Sequence, residues 1–323
     1  MMQTTGNKTK RQQNPRPVML SKRANVFYLE HVRVMQMDER IVYATQDGAL
    51  DHFFNIPERN TAFLLLGKGS SITDAAARRL AAANVMVGFC GSGGSPLFGA
   101  LDITFLAPQS EYRPTEYMQA WVKFWFDDEQ RLEKGKQLLL LRLEYAQRQW
   151  EKNNDLKRAS VIFPQNHADT FRAHIANAKD TQNLLLAEGR WARALYAHLA
   201  RAYKMNHFER EEGKGSNATR EDICNGFLDH GNYIAYGYAC VALCGLGISF
   251  SLPLLHGKTR RGALVFDIAD LVKDAIVMPL AFASAARSTS SRDFRHTLIE
   301  TCQREEVLDH LFGFVIKLAG KTQ

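Results

Sequence analysis

The chain is short of cysteine and has no close cysteine pair. Its 323 residues hold five cysteines, at 90, 224, 240, 244 and 302, and no two are spaced as CxxC. That spacing argues against a structural zinc site or a dithiol redox centre. The odd count, with Cys240 and Cys244 inside an apolar run, suits a reducing, cytoplasmic setting in which free cysteine packs as a small hydrophobe. The start, MMQTTGNKTKRQQNPRP, is polar and basic and has no apolar core, unlike a signal peptide. The longest apolar run, Ile234 to Leu255, is interrupted by Tyr236, Gly237, Gly245, Gly247 and Pro253. It fits a buried helix with a following turn better than a membrane span. Acids are outnumbered, 34 against 41 Lys and Arg, which gives a formal charge of +7 and a pI near 9.1. A basic balance of this size favours a polyanionic partner, nucleic acid first.

Phosphate-cradling loops are missing too. Gly91 and Gly93 follow an apolar run, but Pro96 stands where a dinucleotide fingerprint needs its third glycine. Gly67-Lys68-Gly69-Ser70-Ser71 lacks the spacing of a P-loop. Both read as turns.

The periodicity gives an α+β chain with a small N-terminal β-rich domain and a larger all-α domain. Residues 1–24 are polar and basic and read as disordered. From Asn25 the period is close to two, with strands expected over Val26–Tyr28, Val32–Met37, Arg40–Thr45, Ala62–Leu66, Val85–Phe89 and Leu97–Leu106. Ser71-Ile72-Thr73-Asp74 has capping-box spacing ahead of a short helix, Ala75–Ala83. Residues 25–106 thus form the β-rich unit and 107–114 a linker. From 115 to 323 the pattern is helical. Long helices are expected over Asp127–Lys152 and Asp180–Tyr203, a pair over Asp222–Gly231 and Asn232–Gly247, and a closing helix over Asp293–Lys317.

Two stretches carry chemistry. On the helix from Asp180, Leu184, Trp191, Leu195 and Leu199 form an apolar stripe, and Glu188 falls on it. A carboxylate among core positions is costly unless it is paired or holds a cation. It could pair with Arg193 or another arginine instead. The second stretch is HGKTRRGALVFDIADLVKD, His256 to Asp274. Asp267, Asp270 and Asp274 are spaced by three and four, so on a helix they share a face and repel. A hard cation between them would relieve that, and carboxylates with one imidazole suit Mg²⁺ or Mn²⁺. The same spacing also fits a solvated helix face behind a turn. Lys258, Arg260, Arg261, Lys273 and Arg287 lie close by, as a polyanion-cleaving site would need.

The order of these pieces resembles the CRISPR-associated protein one family, the integrase of spacer acquisition. LLLAEGRWARALY (Leu184–Tyr196) looks like the family's glutamate helix, LPLLHGKTRRG (Leu252–Gly262) like its histidine turn, and LVFDIADLVKDAIVMPLAF (Leu264–Phe282) like its D-x-x-D helix. The IAD of that helix looks like the type I-F branch. The resemblance implies a metal-dependent DNA endonuclease and integrase, with Mg²⁺ or Mn²⁺ held by Glu188, His256 and Asp270. Asp267 would stand behind the ligands as a further acid needed for activity. Candidate phosphate contacts are Lys258, Arg260, Arg261, Arg190, Arg193 and Lys273. Implied partners are double-stranded and branched DNA carrying the CRISPR repeat, a second copy in a homodimer formed through the β domain, and a second adaptation protein. In type I-F that protein is fused to the helicase-nuclease. The competing readings are a non-enzymatic DNA-binding scaffold and an unrelated phosphoester metallohydrolase.

Overall fold

The computed structural model describes residues 18–47, 50–89, 104–106, 114–211, 219–257 and 262–320. Among the described residues, the β region is two small sheets. The first runs β1 (Asn25–Leu29), β5 (Thr61–Leu66), β7 (Met86–Phe89), β8 (Thr104–Leu106), with β1, β5 and β7 parallel and β8 antiparallel. The second runs β4 (Leu50–Ile56), β3 (Arg40–Asp47), β2 (Arg33–Met37), β6 (Ser71–Ile72). Helix α1 (Asp74–Ala82) sits between β6 and β7, and its cap is the Thr73 hydroxyl, which accepts from the Ala76 N–H. Strand β4 was not expected from the sequence. Its LDHFFNI pairs residue for residue with β3, and Phe54 stacks on Tyr43.

Strand β5, TAFLLL, is buried on both faces, so it reads as a continuous apolar run. Alternation divides it: Leu64 and Leu66 join the core between the sheets, while Phe63 and Leu65 join the core of the helices. The helical core therefore runs through the face of the first sheet.

The helices are α2 (Glu116–Trp125), α3 (Asp128–Lys152), α4 (Asn154–Arg158), α5 (Gln165–Asn177), α6 (Thr181–Ala202), α7 (Arg220–Gly245), α8 (Ala263–Val272), α9 (Met278–Ala286), α10 (Ser291–Arg304) and α11 (Val307–Leu318). The two helices expected over 222–247 are one, α7, started by a Thr219–Asp222 capping box. It meets β5 closely: a Cβ at Gly237 would lie 2.3 Å from the Phe63 ring, so only glycine fits. The single closing helix is two, parted at Glu306, whose φ of 48° is left-handed. Between α8 and α9, residues Lys273–Val277 make a π turn, the wide turn that recurs at functional sites. No helix among the described residues is long and apolar enough to cross a membrane. The four described cysteines, Cys224, Cys240, Cys244 and Cys302, are free and buried.

Candidate active site

Helix α8 is buried on every side, from Ala263 through Val272. Its two acids, Asp267 and Asp270, and Asp274 in the π turn after it are therefore not a solvated edge, and each needs a partner. Asp267 is held by the turn before α8, while Asp270 and Asp274 share Arg142.

Asp267 is 1% exposed and faces the turn before α8. Its Oδ2 accepts from the Leu254 and Leu255 N–H groups, at 2.6 and 3.1 Å, and its Oδ1 from the His256 N–H at 3.2 Å. The same Oδ1 lies 2.6 Å from His256 Nδ1. On the other side, the Trp121 and Trp125 indoles of α2 donate to the Leu252 and Pro253 carbonyls. The turn is thus pinned from both flanks, and Asp267 fixes the imidazole with Nε2 left for another partner. Burial alone would lower the His256 pKa, but the hydrogen bond and charge of Asp267 raise it above the ordinary value.

Asp274 lies in the π turn and is 0% exposed. It grips Arg142 of α3 along one edge, Oδ2 to Nε at 2.6 Å and Oδ1 to Nη2 at 2.9 Å. The Trp191 indole donates to the same carboxylate at 2.8 Å, and Trp150 donates to the Asp274 carbonyl at 2.8 Å. Asp274 is an anchor and does not line up with Asp267 as one carboxylate face. The remaining guanidinium nitrogen, Nη1, points at the two other carboxylates: 3.0 Å from Glu188 Oε1 and 3.3 Å from Asp270 Oδ2.

Asp270 is shared. Its other oxygen takes Lys273 Nζ at 2.8 Å, and that ammonium also donates to the Tyr236 hydroxyl and sits over the Tyr236 ring. Burial would raise the Asp270 carboxyl, but Lys273 and Arg142 hold it below its ordinary value.

Glu188, His256 and Asp270 line one open cavity of about 240 Å³ with Arg142, Phe266 and Lys273. Their side chains keep 18, 25 and 9% of their exposure, while those of Asp267 and Asp274 keep none. The first three can meet a ligand and the other two position them. Among the described residues no three His, Cys, Asp or Glu side chains are already gathered to hold a metal ion. A protein cation, Arg142, is bonded to both carboxylates instead. The donor set of two carboxylates and an imidazole whose other nitrogen is fixed by a carboxylate does fit a hard divalent ion.

Of the expected phosphate contacts, Arg190 and Arg193 are exposed on α6, two and five residues after Glu188. Lys273 is a half-buried partner of Asp270, with 15% of its side chain exposed. Lys258, Arg260 and Arg261 lie outside the described residues. Arg287 pairs with Asp155 instead of lining the cavity. Arg142 was missed. Its signal was in the sequence: one arginine inside LLLLRL, the same anomaly that marked Glu188.

Among the described residues, a helical domain with an acid–histidine cavity, joined to a small two-sheet domain, defines an α+β protein. The model of the family described as "CRISPR associated protein Cas1" matches residues 28–309. The chain belongs to the Cas1 family. It is 44% identical to a CRISPR-associated endonuclease Cas1 of Pseudomonas aeruginosa over 94% of this chain and 95% of that one. It is 41% identical to one of Pectobacterium atrosepticum over 94% of each. In fold it matches the TtCas1–DNA complex (TM-score 0.67, 22% identity, 93% of each chain). It also matches a casposase bound to its integration product (0.71, 15%, 92% of this chain and 91% of that one). A third match is the Cas6-RT-Cas1–Cas2 complex (0.65, 13%, 92% of this chain and 35% of that one).

Proposed function

We propose that this chain is a divalent-metal-dependent DNA endonuclease and integrase that inserts DNA fragments into a CRISPR array. The observation that carries this is the meeting of Glu188, His256 and Asp270, from α6, the 252–257 turn and α8, on one open cavity. The endonuclease names of its relatives and the likeness to a casposase support the same reading.

Glu188, His256 and Asp270 would hold Mg²⁺ or Mn²⁺. Bound there, the ion supplies charge stabilisation at the scissile phosphate and activation of an oxygen nucleophile, the 3′-hydroxyl of the incoming fragment or water. Asp267 keeps the His256 ring oriented, with Nε2 turned from its own carboxylate. Phe266 and Tyr236 wall the cavity. Arg190, Arg193 and Arg201 are exposed along α6 and make no ion pair among the described residues, so they are free to track a phosphate backbone. The second sheet leaves Met37 and Phe53 exposed on one of its faces, apolar residues suited to burial in the homodimer. DNA and a second adaptation protein are the expected partners, in line with the two solved complexes. Fusion of that protein to a helicase-nuclease belongs to the type I-F assignment.

The test is strand cleavage and strand transfer on branched DNA, with Mg²⁺ or Mn²⁺ against chelator, for wild type and Asp270→Ala. Metal-dependent activity in the wild type and its loss in the variant, with DNA binding kept, is the expected result. Activity that survives Asp270→Ala would sink the assignment.

A further inference from the structure

We infer that Arg142 is a built-in competitor of the metal ion: a protein cation positioned where it weakens metal binding by Glu188 and Asp270. This rests on the proposed metal site and says how that site is tuned.

The geometry is specific. The guanidinium is 2% exposed and cannot swing out, because Asp274 holds its Nε and Nη2 edge with two bonds. Asp274 is itself locked by Trp191 and by the π turn. Only Nη1 reaches the cavity, and it is bonded to one oxygen of each proposed carboxylate ligand. A divalent ion on those oxygens would sit beside a fixed positive charge. Asp274 neutralises that charge overall, but it lies behind the guanidinium, on the far edge. At short range the nearer charge dominates, so the pair repels the ion.

The opposite role, that Arg142 gathers the two carboxylates for the ion, is weaker on this structure. Glu188 and Asp270 are carried by α6 and α8, whose buried faces are set by the apolar core. Asp270 also keeps Lys273 at 2.8 Å without help from Arg142. Asp270 thus has a second partner, and the backbone position of Glu188 is set by the packing of α6.

The experiment measures Mn²⁺ affinity of the full metal-free chain by calorimetry, without DNA. The variants are wild type, Asp270→Ala, the charge-free pair Arg142→Met with Asp274→Asn, and Arg142→Lys. Asn at 274 keeps an acceptor for Trp191. Asp270→Ala is expected to lose the site, and the charge-free pair to bind about tenfold tighter than wild type. Arg142→Lys restores a cation and should return affinity to within about threefold of wild type, which separates charge from packing. Equal or weaker binding by the charge-free pair, with a native circular-dichroism spectrum, would overturn the inference while leaving the metal site standing. Should that pair not fold, Arg142→Gln with Asp274→Asn keeps polar donors and is held to the same criterion. If Asp270→Ala binds as well as wild type, the metal assignment fails and the competitor role fails with it.

Discussion

Two histidines of this chain stand in opposite company. His256, at the candidate site, has a carboxylate against its Nδ1 and shares its cavity with four further acids, Glu188, Asp229, Asp270 and Asp274. His230, on α7 at the junction with the first sheet, has Arg295 3.5 Å from its Nδ1 and packs on the Tyr28 ring. Arg295 in turn pairs with Glu30 and lies over Tyr28. The carboxylate raises the His256 pKa against burial. At the junction, burial and then Arg295 act together and lower His230 to about 4. One imidazole is thus poised to take a proton or a cation, and the other is locked neutral as packing. The partner and the access decide the role, since the residue type is the same.

The two arginines sharpen that contrast, and the largest effect is expected here. Arg142→Met alone would leave Asp274 buried and charged with only indole donors. We expect a loss of about 3–5 kcal/mol in urea unfolding, most of it recovered when Asp274→Asn is added. Arg295→Met at the junction should cost only about 1 kcal/mol, because Glu30 keeps a quarter of its exposure and can rehydrate. Equal costs at both places would mean that Arg142 is no more buried in solution than Arg295.

The next prediction uses pH. His230 is neutral when folded, with a pKa of about 4, and titrates near its ordinary value of 6.5 when unfolded. The unfolded chain then binds more protons, so this contribution to stability is full above about 6.5 and is lost as pH falls towards 4. Its ceiling is roughly 3 kcal/mol. His256 has the reverse sign. Its folded pKa is raised, so its contribution in the metal-free protein is full below 6.5 and fades as pH rises through the folded value. Stability of wild type minus His230→Phe should therefore fall on acidification. Wild type minus His256→Gln should fall on alkalinisation. Two differences of the same slope would contradict the assignment of surroundings.

A smaller change separates orientation from charge. Asp267→Asn keeps an oxygen for the Leu254 and Leu255 N–H groups but weakens the grip on His256. Strand cleavage should drop about 10- to 100-fold with little change in the far-ultraviolet spectrum.

How much of this was legible beforehand follows from what each element had to satisfy. Strands β5 and β7 and helix α6 were readable, because their apolar patterns are long and unambiguous. Strand β4 was not, since LDHFFNI has no clear alternation and owes its place to pairing with β3. The break at Glu306 was hidden in a sequence that is helical on both sides. At the site, Glu188, His256 and Asp270 could be picked out as anomalies or as matches to a family pattern. Asp274 could not be separated from them, because helical spacing assumes 3.6 residues per turn and the π turn breaks it. Arg142 lies 46 residues before Glu188 in the chain, so only the fold reveals their contact.

The smallest expected effects concern the basic residues, and they test whether exposure separates phosphate contacts from structural cations. Arg190 and Arg193 are exposed and unpaired among the described residues; Lys273 is half-buried, paired with Asp270 and Tyr236. Arg190→Gln or Arg193→Gln should weaken binding to any DNA sequence by a few fold. Each should lower the slope of log affinity against log salt by about one, with stability changed by less than about 0.5 kcal/mol. Lys273→Gln should do the reverse: leave the salt slope in place, lower the unfolding midpoint, and let the Asp270 carboxyl rise, because the cation that holds it down is gone. A salt slope that drops for Lys273→Gln but not for the α6 arginines would mean that DNA enters the cavity itself and does not run along α6.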